Sequence, residues 1–381
     1  MDIRDTIRRT ASVMENDSVK NFRAQGGKVF ATECIFAPAE IVHAAGALSI
    51  RLRGTGSRAT DRAEVHYAPT HCSFVRHTFN QALTDQFAFC DGIIFATTCD
   101  HARRMYDVWK YTDCPPKERY LLTVPHVGNP EAVKAFADNL RLFATYISEQ
   151  TGKQITDDSL RASIKTFNNQ RRMIAKLYEM RKADKPPVNG KTMLAVWQML
   201  SSVPVEEGNR MLDELIETVK GNPDEIPSDP IRLFLATTHI EDPERMAALE
   251  SGKALIVNDM SCIGNAYFAG EVNEEGDPYM ALSERILLRP SCPNIVDNFR
   301  DRLNYSQKLA SEWNCDGMVY DHLQFCPFGD VEAYMYKQET LKSGLPYVSL
   351  QHELYGGGAG QVKTRIEAFT EQIDNIKRKK S

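Results

Sequence analysis

The tripeptide Cys-Asp-Gly occurs twice in this chain, and each time it opens the same succession of segments. Residues 90–99 read Cys-Asp-Gly-Ile-Ile-Phe-Ala-Thr-Thr-Cys, and residues 315–326 read Cys-Asp-Gly-Met-Val-Tyr-Asp-His-Leu-Gln-Phe-Cys. Each is a polar turn, a β-prone run and a second cysteine. Each leads to a helix-like segment, Ala102 to Tyr111 or Val331 to Ser343, and then to an apolar run, Tyr120–Val124 or Tyr347–Leu350. The upstream portions match as well. Strand candidates Lys28–Ala31 and Leu233–Thr237 are followed by helices Pro38–Gly46 and Pro243–Gly252, then by β-like runs Leu48–Leu52 and Ala254–Val257. Strands alternating with helices imply parallel sheets built from βαβ units. The expected fold is therefore α/β, with two Rossmann-like parallel-sheet halves related by a weak internal repeat.

Between the halves the texture changes. Apolar residues at Leu160, Ile164, Phe167, Ile174 and Leu177 fall at helical spacing, with Arg171 interrupting the stripe. Thr156, Asp157 and Asp158 supply a cap and an acidic first turn. Further helices are predicted over Thr192–Ser201 and Glu206–Val219, with breakers at Pro186-Pro187 and Gly221-Asn222-Pro223. The expected organisation is an N-terminal helical segment (1–25), a first α/β domain (26–150) and a helical insert (151–225). A second α/β domain (226–352) and a glycine-rich loop with a C-terminal helix (353–381) follow.

Charge narrows the function classes. Lysine plus arginine is 46 against 51 aspartate plus glutamate, a formal charge of −5, which argues against chain-wide binding to nucleic acid or anionic lipid. No apolar run approaches the roughly 20 residues that span a bilayer. The first twenty residues lack an apolar core, so a signal peptide is not expected and a cytoplasmic location is. In that compartment the nine cysteines read as metal ligands or buried thiols rather than disulfides.

Cys99 and Cys326 each stand where a strand candidate ends and a helix begins. That is the carboxyl edge at which α/β sheets bind ligands, and helix N-termini there favour a thiolate. Although 326 − 99 = 227 positions apart, they would meet if the two halves face each other. The alternative is that both are buried packing residues. No Cys-x-x-Cys, ferredoxin spacing or His-Glu-x-x-His stands in the chain. The run Gly356–Gly360 fits neither nucleotide-binding glycine pattern and reads as a connector, so no nucleotide site is expected.

Several segments, in order along nearly the whole chain, resemble the 2-hydroxyacyl-CoA dehydratase and class I, ATP-dependent benzoyl-CoA reductase superfamily. They are Ala37-Pro38-Ala39-Glu40-Ile41-Val42-His43-Ala44-Ala45-Gly46, Cys72-Ser73-Phe74-Val75-Arg76, Asp91-Gly92-Ile93-Ile94 and Thr98-Cys99-Asp100, with Asp107-Val108-Trp109 beyond. Thr151-Gly152-Lys153-Gln154-Ile155-Thr156, Pro204-Val205-Glu206-Glu207, Phe325-Cys326 and Gly360 to Phe369 complete the set. The resemblance implies a [4Fe–4S] cluster held by Cys72, Cys99 and Cys326, with an open or non-protein fourth ligand. One departure is Cys326-Pro327-Phe328, where the family often has Cys-Asp-Pro.

The resemblance also implies a related, larger cluster-bearing partner subunit, a separate ATP-hydrolysing iron–sulfur activator and an acyl-CoA substrate. The chain would be the smaller catalytic subunit of a low-potential radical enzyme. Reductive dearomatisation of benzoyl-CoA is the first expectation. A (R)-2-hydroxyacyl-CoA dehydratase subunit and a double-cubane electron-transfer protein of the same fold are the alternatives. His43, Glu40 and Arg76 are the candidate catalytic residues. Cys34, Cys90, Cys114, Cys262, Cys292 and Cys315 read as packing residues, some of which a larger cluster would recruit, and Trp109 and Phe369 as core.

Overall fold

The computed structural model describes residues 2–54, 58–290 and 292–380. Two four-stranded sheets, every strand pair parallel, organise them. The first holds β1 (Val29–Thr32), β2 (Leu48–Arg51), β3 (Gly92–Ala96) and β4 (Glu118–Leu122) in the order β2-β1-β3-β4. The second holds β5 (Ile231–Thr237), β6 (Ala254–Met260), β7 (Gly317–Leu323) and β8 (Tyr347–His352) in the order β6-β5-β7-β8. The strand order is the same in both, so the two halves share one topology.

The Cys-Asp-Gly turns do the same work in each sheet. The Asp91 amide donates to the Val29 carbonyl at 2.7 Å, and its carboxylate accepts the Val29 amide at 2.8 Å. Asp316 repeats this on Arg232, at 2.7 and 2.9 Å. One aspartate thereby fixes where the third strand starts against the first. The glycine is needed for space. A Cβ at Gly92 would lie 2.9 Å from the Phe30 ring, and one at Gly317 would lie 2.8 Å from Ile373. β3, β5, β6 and β7 are buried along their whole length, as strands covered by helices on both faces must be.

The helices follow the predicted positions, with ends that differ by a few residues. Pro327–Lys342 starts four residues before the predicted Val331, because Pro327 takes the first helical position, where its missing N–H costs nothing. Thr156 caps Asp157–Met180 through a reciprocal bond with Ser159. The helices Ser73–Ala82, Pro130–Thr151, Pro278–Leu288 and Phe299–Glu312 lie outside the predicted set. Trp109 and Phe369 are buried.

Packing interleaves the halves. Ile3, Ile7 and Ala11 of the N-terminal helix pack into the second sheet's core, beside the insert helix Gly190–Leu200. Val272, Tyr279, Leu282, Ile286 and Ile295, from the connection between β6 and β7, join the core of the first sheet. Arg171, the break in the apolar stripe, is buried and pairs with buried Glu40. No helix among the described residues is long and apolar enough to cross a membrane.

Asp321 of β7 ties three elements together. Arg245 of the helix Pro243–Leu249 donates to both of its oxygens, and His352 at the end of β8 lies 3.2 Å away. Burial pushes this carboxyl up, but His352 and Arg245 outweigh it and hold it down at about 2. Removing the charge strands a buried guanidinium, so Asp321→Asn should cost about 3–5 kcal/mol of stability. The folded pKa lies below the unfolded one, so the stabilisation is complete above about pH 4 and is lost as pH falls toward 2. Urea unfolding of both proteins between pH 6 and 2 checks this. A gap that stays constant into acid would contradict it.

Candidate functional site

The carboxyl ends of both sheets open on one cavity. Glu33 and Cys34 reach it from behind β1, and Thr98 and Cys99 from behind β3. Thr237 to His239 reach it from β5, Cys262 from behind β6 and Cys326 from behind β7. Cys72 and Cys292 line it from the crossovers that join the second strand of each sheet to the third.

Cys72, Cys99 and Cys326 are each the N-cap of a helix, Ser73–Ala82, Asp100–Thr112 and Pro327–Lys342. Each sulfur faces the amide three residues on. Ala102 N–H donates to Cys99 Sγ at 3.4 Å. The Val75 amide lowers the Cys72 thiol, and the Gly329 and Phe328 amides lower that of Cys326, though neither of these sulfurs accepts a capping hydrogen bond. These amides and the helix dipoles favour thiolate. Burial opposes it and prevails. The Cys72 thiol is pushed up to about 12, Cys99 well up, and Cys326 up. Their mutual influence shows how close they stand, since Cys326 raises Cys72, and both raise Cys99. Phe325, just before Cys326, holds a left-handed φ of 62°. That conformation is uncommon for a non-glycine residue and marks strain beside the site.

Cys34, Cys262 and Cys292 form a second group. Burial drives Cys292 up to about 12 and Cys34 higher, with Cys292 adding to the rise at Cys34 and Cys262 to that at Cys292. Cys262 goes the other way. Burial resists, but His239 Nδ1 at 3.5 Å and Arg51 Nη2 at 3.6 Å bring its thiol below the usual range. His239 is itself held by Glu241 at 3.0 Å. Burial would lower that imidazole, yet Cys262 and Glu241 raise it to about 9. Burial also pushes Glu33 up to about 7.

The sequence treated these three cysteines as packing residues and passed over Arg51 and His239. A signal was present in the repeat, since Cys34 and His239 each stand two residues beyond the first strand of their half.

The candidate catalytic residues are dispersed. The Arg76 side chain is nearly buried and binds the His71 carbonyl, Glu64 at 3.1 Å and Glu353 at 2.5 Å. It clamps the helix that Cys72 caps to the loop after β8. Glu40 is committed to Arg171 and lines neither this cavity nor the next one. His43 lines a second cavity, a side pocket, where it lies 2.9 Å from Ser163 and 3.0 Å from Glu206. The two cavities share Cys34 and Arg51.

A donor set of clustered thiols is the chemistry of soft, iron–sulfur or zinc-type centres. Among the described residues no group of three His, Cys, Asp or Glu is arranged to hold a single metal ion.

Fold and site together define a two-sheet α/β protein with a thiol-rich cavity between facing carboxyl edges. The chain belongs to the 2-hydroxyglutaryl-CoA dehydratase, D-component family, whose profile matches residues 34–373. It is similar to one of the benzoyl-CoA reductase subunits of Thauera aromatica, at 25% identity over 91% of each chain. It is also similar to the putative dehydratase subunit YjiM of Escherichia coli strain K12, at 27% identity over 93% of this chain and 94% of that one. The (R)-phenyllactyl-CoA dehydratase beta subunit of Clostridium sporogenes matches at 24% over 93% and 94%.

The placement of Glu40 makes a checkable statement. Glu40→Gln leaves the Arg171 charge buried and under-compensated, and should lower stability by about 3 kcal/mol. Thermal unfolding measures it. A variant as stable as the wild type would remove the structural role assigned to this pair.

Proposed function

We propose that this chain is an iron–sulfur redox protein whose centre is larger than one cubane. Cys72, Cys99 and Cys326 would hold one part, and Cys34, Cys262 and Cys292 the other. One observation carries the reading: six of the nine cysteines line a single cavity, in two groups of three drawn from both halves. A centre of this kind, when bound, stores and transfers single electrons at a potential set by its surroundings. The chain's own residues set those surroundings. Three helix N-termini face the first thiol group, and Arg51 with His239 faces the second. Phe74, Val75, Leu323 and Phe328 surround the cavity with apolar surface, which limits water and strengthens each of these charges.

A second reading keeps one cubane on Cys72, Cys99 and Cys326 and makes the chain a subunit of an enzyme acting on a CoA thioester. The names of the relatives favour it. They are reductase or dehydratase subunits, which supports a partner subunit for this chain. This reading also calls for a separate ATP-hydrolysing activator. Benzoyl-CoA reduction and 2-hydroxyacyl-CoA dehydration are the reactions to be tried.

Iron and acid-labile sulfide per chain, on protein purified without oxygen, separate the readings. About eight iron in the wild type would support the larger centre, and about four the single cubane. Cys99→Ser should lose iron under either reading. Cys292→Ser should lose it only under the first, and Cys90→Ser, at the opposite end of β3, under neither. An iron-free anaerobic preparation would sink both.

A further inference from the structure

The side pocket behind β2 is not explained by thiols that hold a centre. Its wall is apolar, with Phe22, Leu48, Phe167 and Val203 among the residues that form it. Its mouth carries His43, locked between Ser163 and Glu206, with the Phe167 ring edge-on at 5.6 Å between centroids. Its inner end is Arg51 and Cys34, the two residues it shares with the thiol cavity. Arg51 is nine-tenths buried, and its Nε has no hydrogen-bond partner among the described residues. A buried N–H without an acceptor is uncommon and calls for a water or a ligand atom.

Arg51 is also the one lysine or arginine among the described residues lining the pocket. A nucleotide's phosphates are recognised by several cations together, whereas Glu206 brings a negative charge to this mouth. The chemistry matches a small uncharged molecule with one hydrogen-bond acceptor. Apolar walls admit it, and a buried guanidinium receives it.

We propose that the side pocket is the path by which a small uncharged acceptor molecule reaches the Cys34 face of the thiol cavity, with Arg51 as its anchoring donor and the His43–Glu206 pair at its mouth. The inference rests on the iron–sulfur reading of that cavity. Ser49, partly exposed on the edge strand β2, lines the pocket and offers a place to plug it. The test uses anaerobic holoprotein and follows loss of visible iron–sulfur absorbance with two oxidants, hydrogen peroxide as the small neutral probe and ferricyanide as the bulky anion.

In Ser49→Phe, peroxide bleaching should slow at least fivefold, and in His43→Ala it should accelerate, with ferricyanide rates and iron content unchanged. Ala47→Leu is the milder plug if Ser49→Phe does not fold. Peroxide rates equal to wild type in a plugged variant of full iron content would overturn the proposal. If the wild-type chain holds no iron, the iron–sulfur reading fails on its own, and the path is tested on the reduced, metal-free chain. There, iodoacetamide alkylation is mapped by mass spectrometry. The plug should slow Cys34 at least fivefold relative to Cys72, which lines only the thiol cavity. An unchanged ratio would overturn the path in that form too.

Discussion

A thiol shielded from water stays protonated unless positive charge faces it, and this protein gathers six thiols, one buried and five half-buried, around one cavity. Burial raises five of the six, and the neighbours raise one another further. Such an arrangement is costly to ionise without a cationic group among the sulfurs, and metal binding is what normally compensates it. The rest of the site reads as partial answers to that constraint. Three helix N-termini point amides at three sulfurs. A guanidinium and an imidazole stand against a fourth, the one thiol of the set that is lowered.

The scaffold reaches this arrangement by using one device twice. A parallel sheet collects its loops at the carboxyl edge, so two sheets facing one another place all those loops around a common space. The aspartates of the two Cys-Asp-Gly turns fix the third strand against the first by the same pair of bonds. That sets where β3 and β7 end and therefore where Cys99 and Cys326 stand. Packing then locks the halves together, because the connection from β6 to β7 lends its apolar residues to the first sheet's core.

The polar residues singled out from the motifs turn out to have different employments. Arg76 joins the Cys72 helix to the chain beyond β8, and Glu40 answers the Arg171 charge inside the protein. His43 alone stands at a cavity. A motif marks what must be kept, and a buried ion pair is kept as firmly as a ligand contact, since removing one partner leaves the other unpaired.

The sequence by itself determined the strands of both halves, the helices that follow the repeat, and their duplication. Strand, turn and cap signals are local, and the two Cys-Asp-Gly segments show the period directly. The convergence of Cys99 and Cys326 was legible for the same reason, because matching positions in a repeat land at matching ends of strands. Only the tertiary structure decided the second thiol group. Cys34 and Cys262 each stand two residues beyond a strand, but beyond strands that do not correspond in the two halves, and Cys292 lies in a long crossover; a lone cysteine in such a stretch looks like core. Nor could the chain order announce that Arg171 meets Glu40, or that Arg51 meets Cys262 where the two cavities adjoin. Those contacts join residues 131 and 211 positions apart, and the packing of the halves alone brings them within reach.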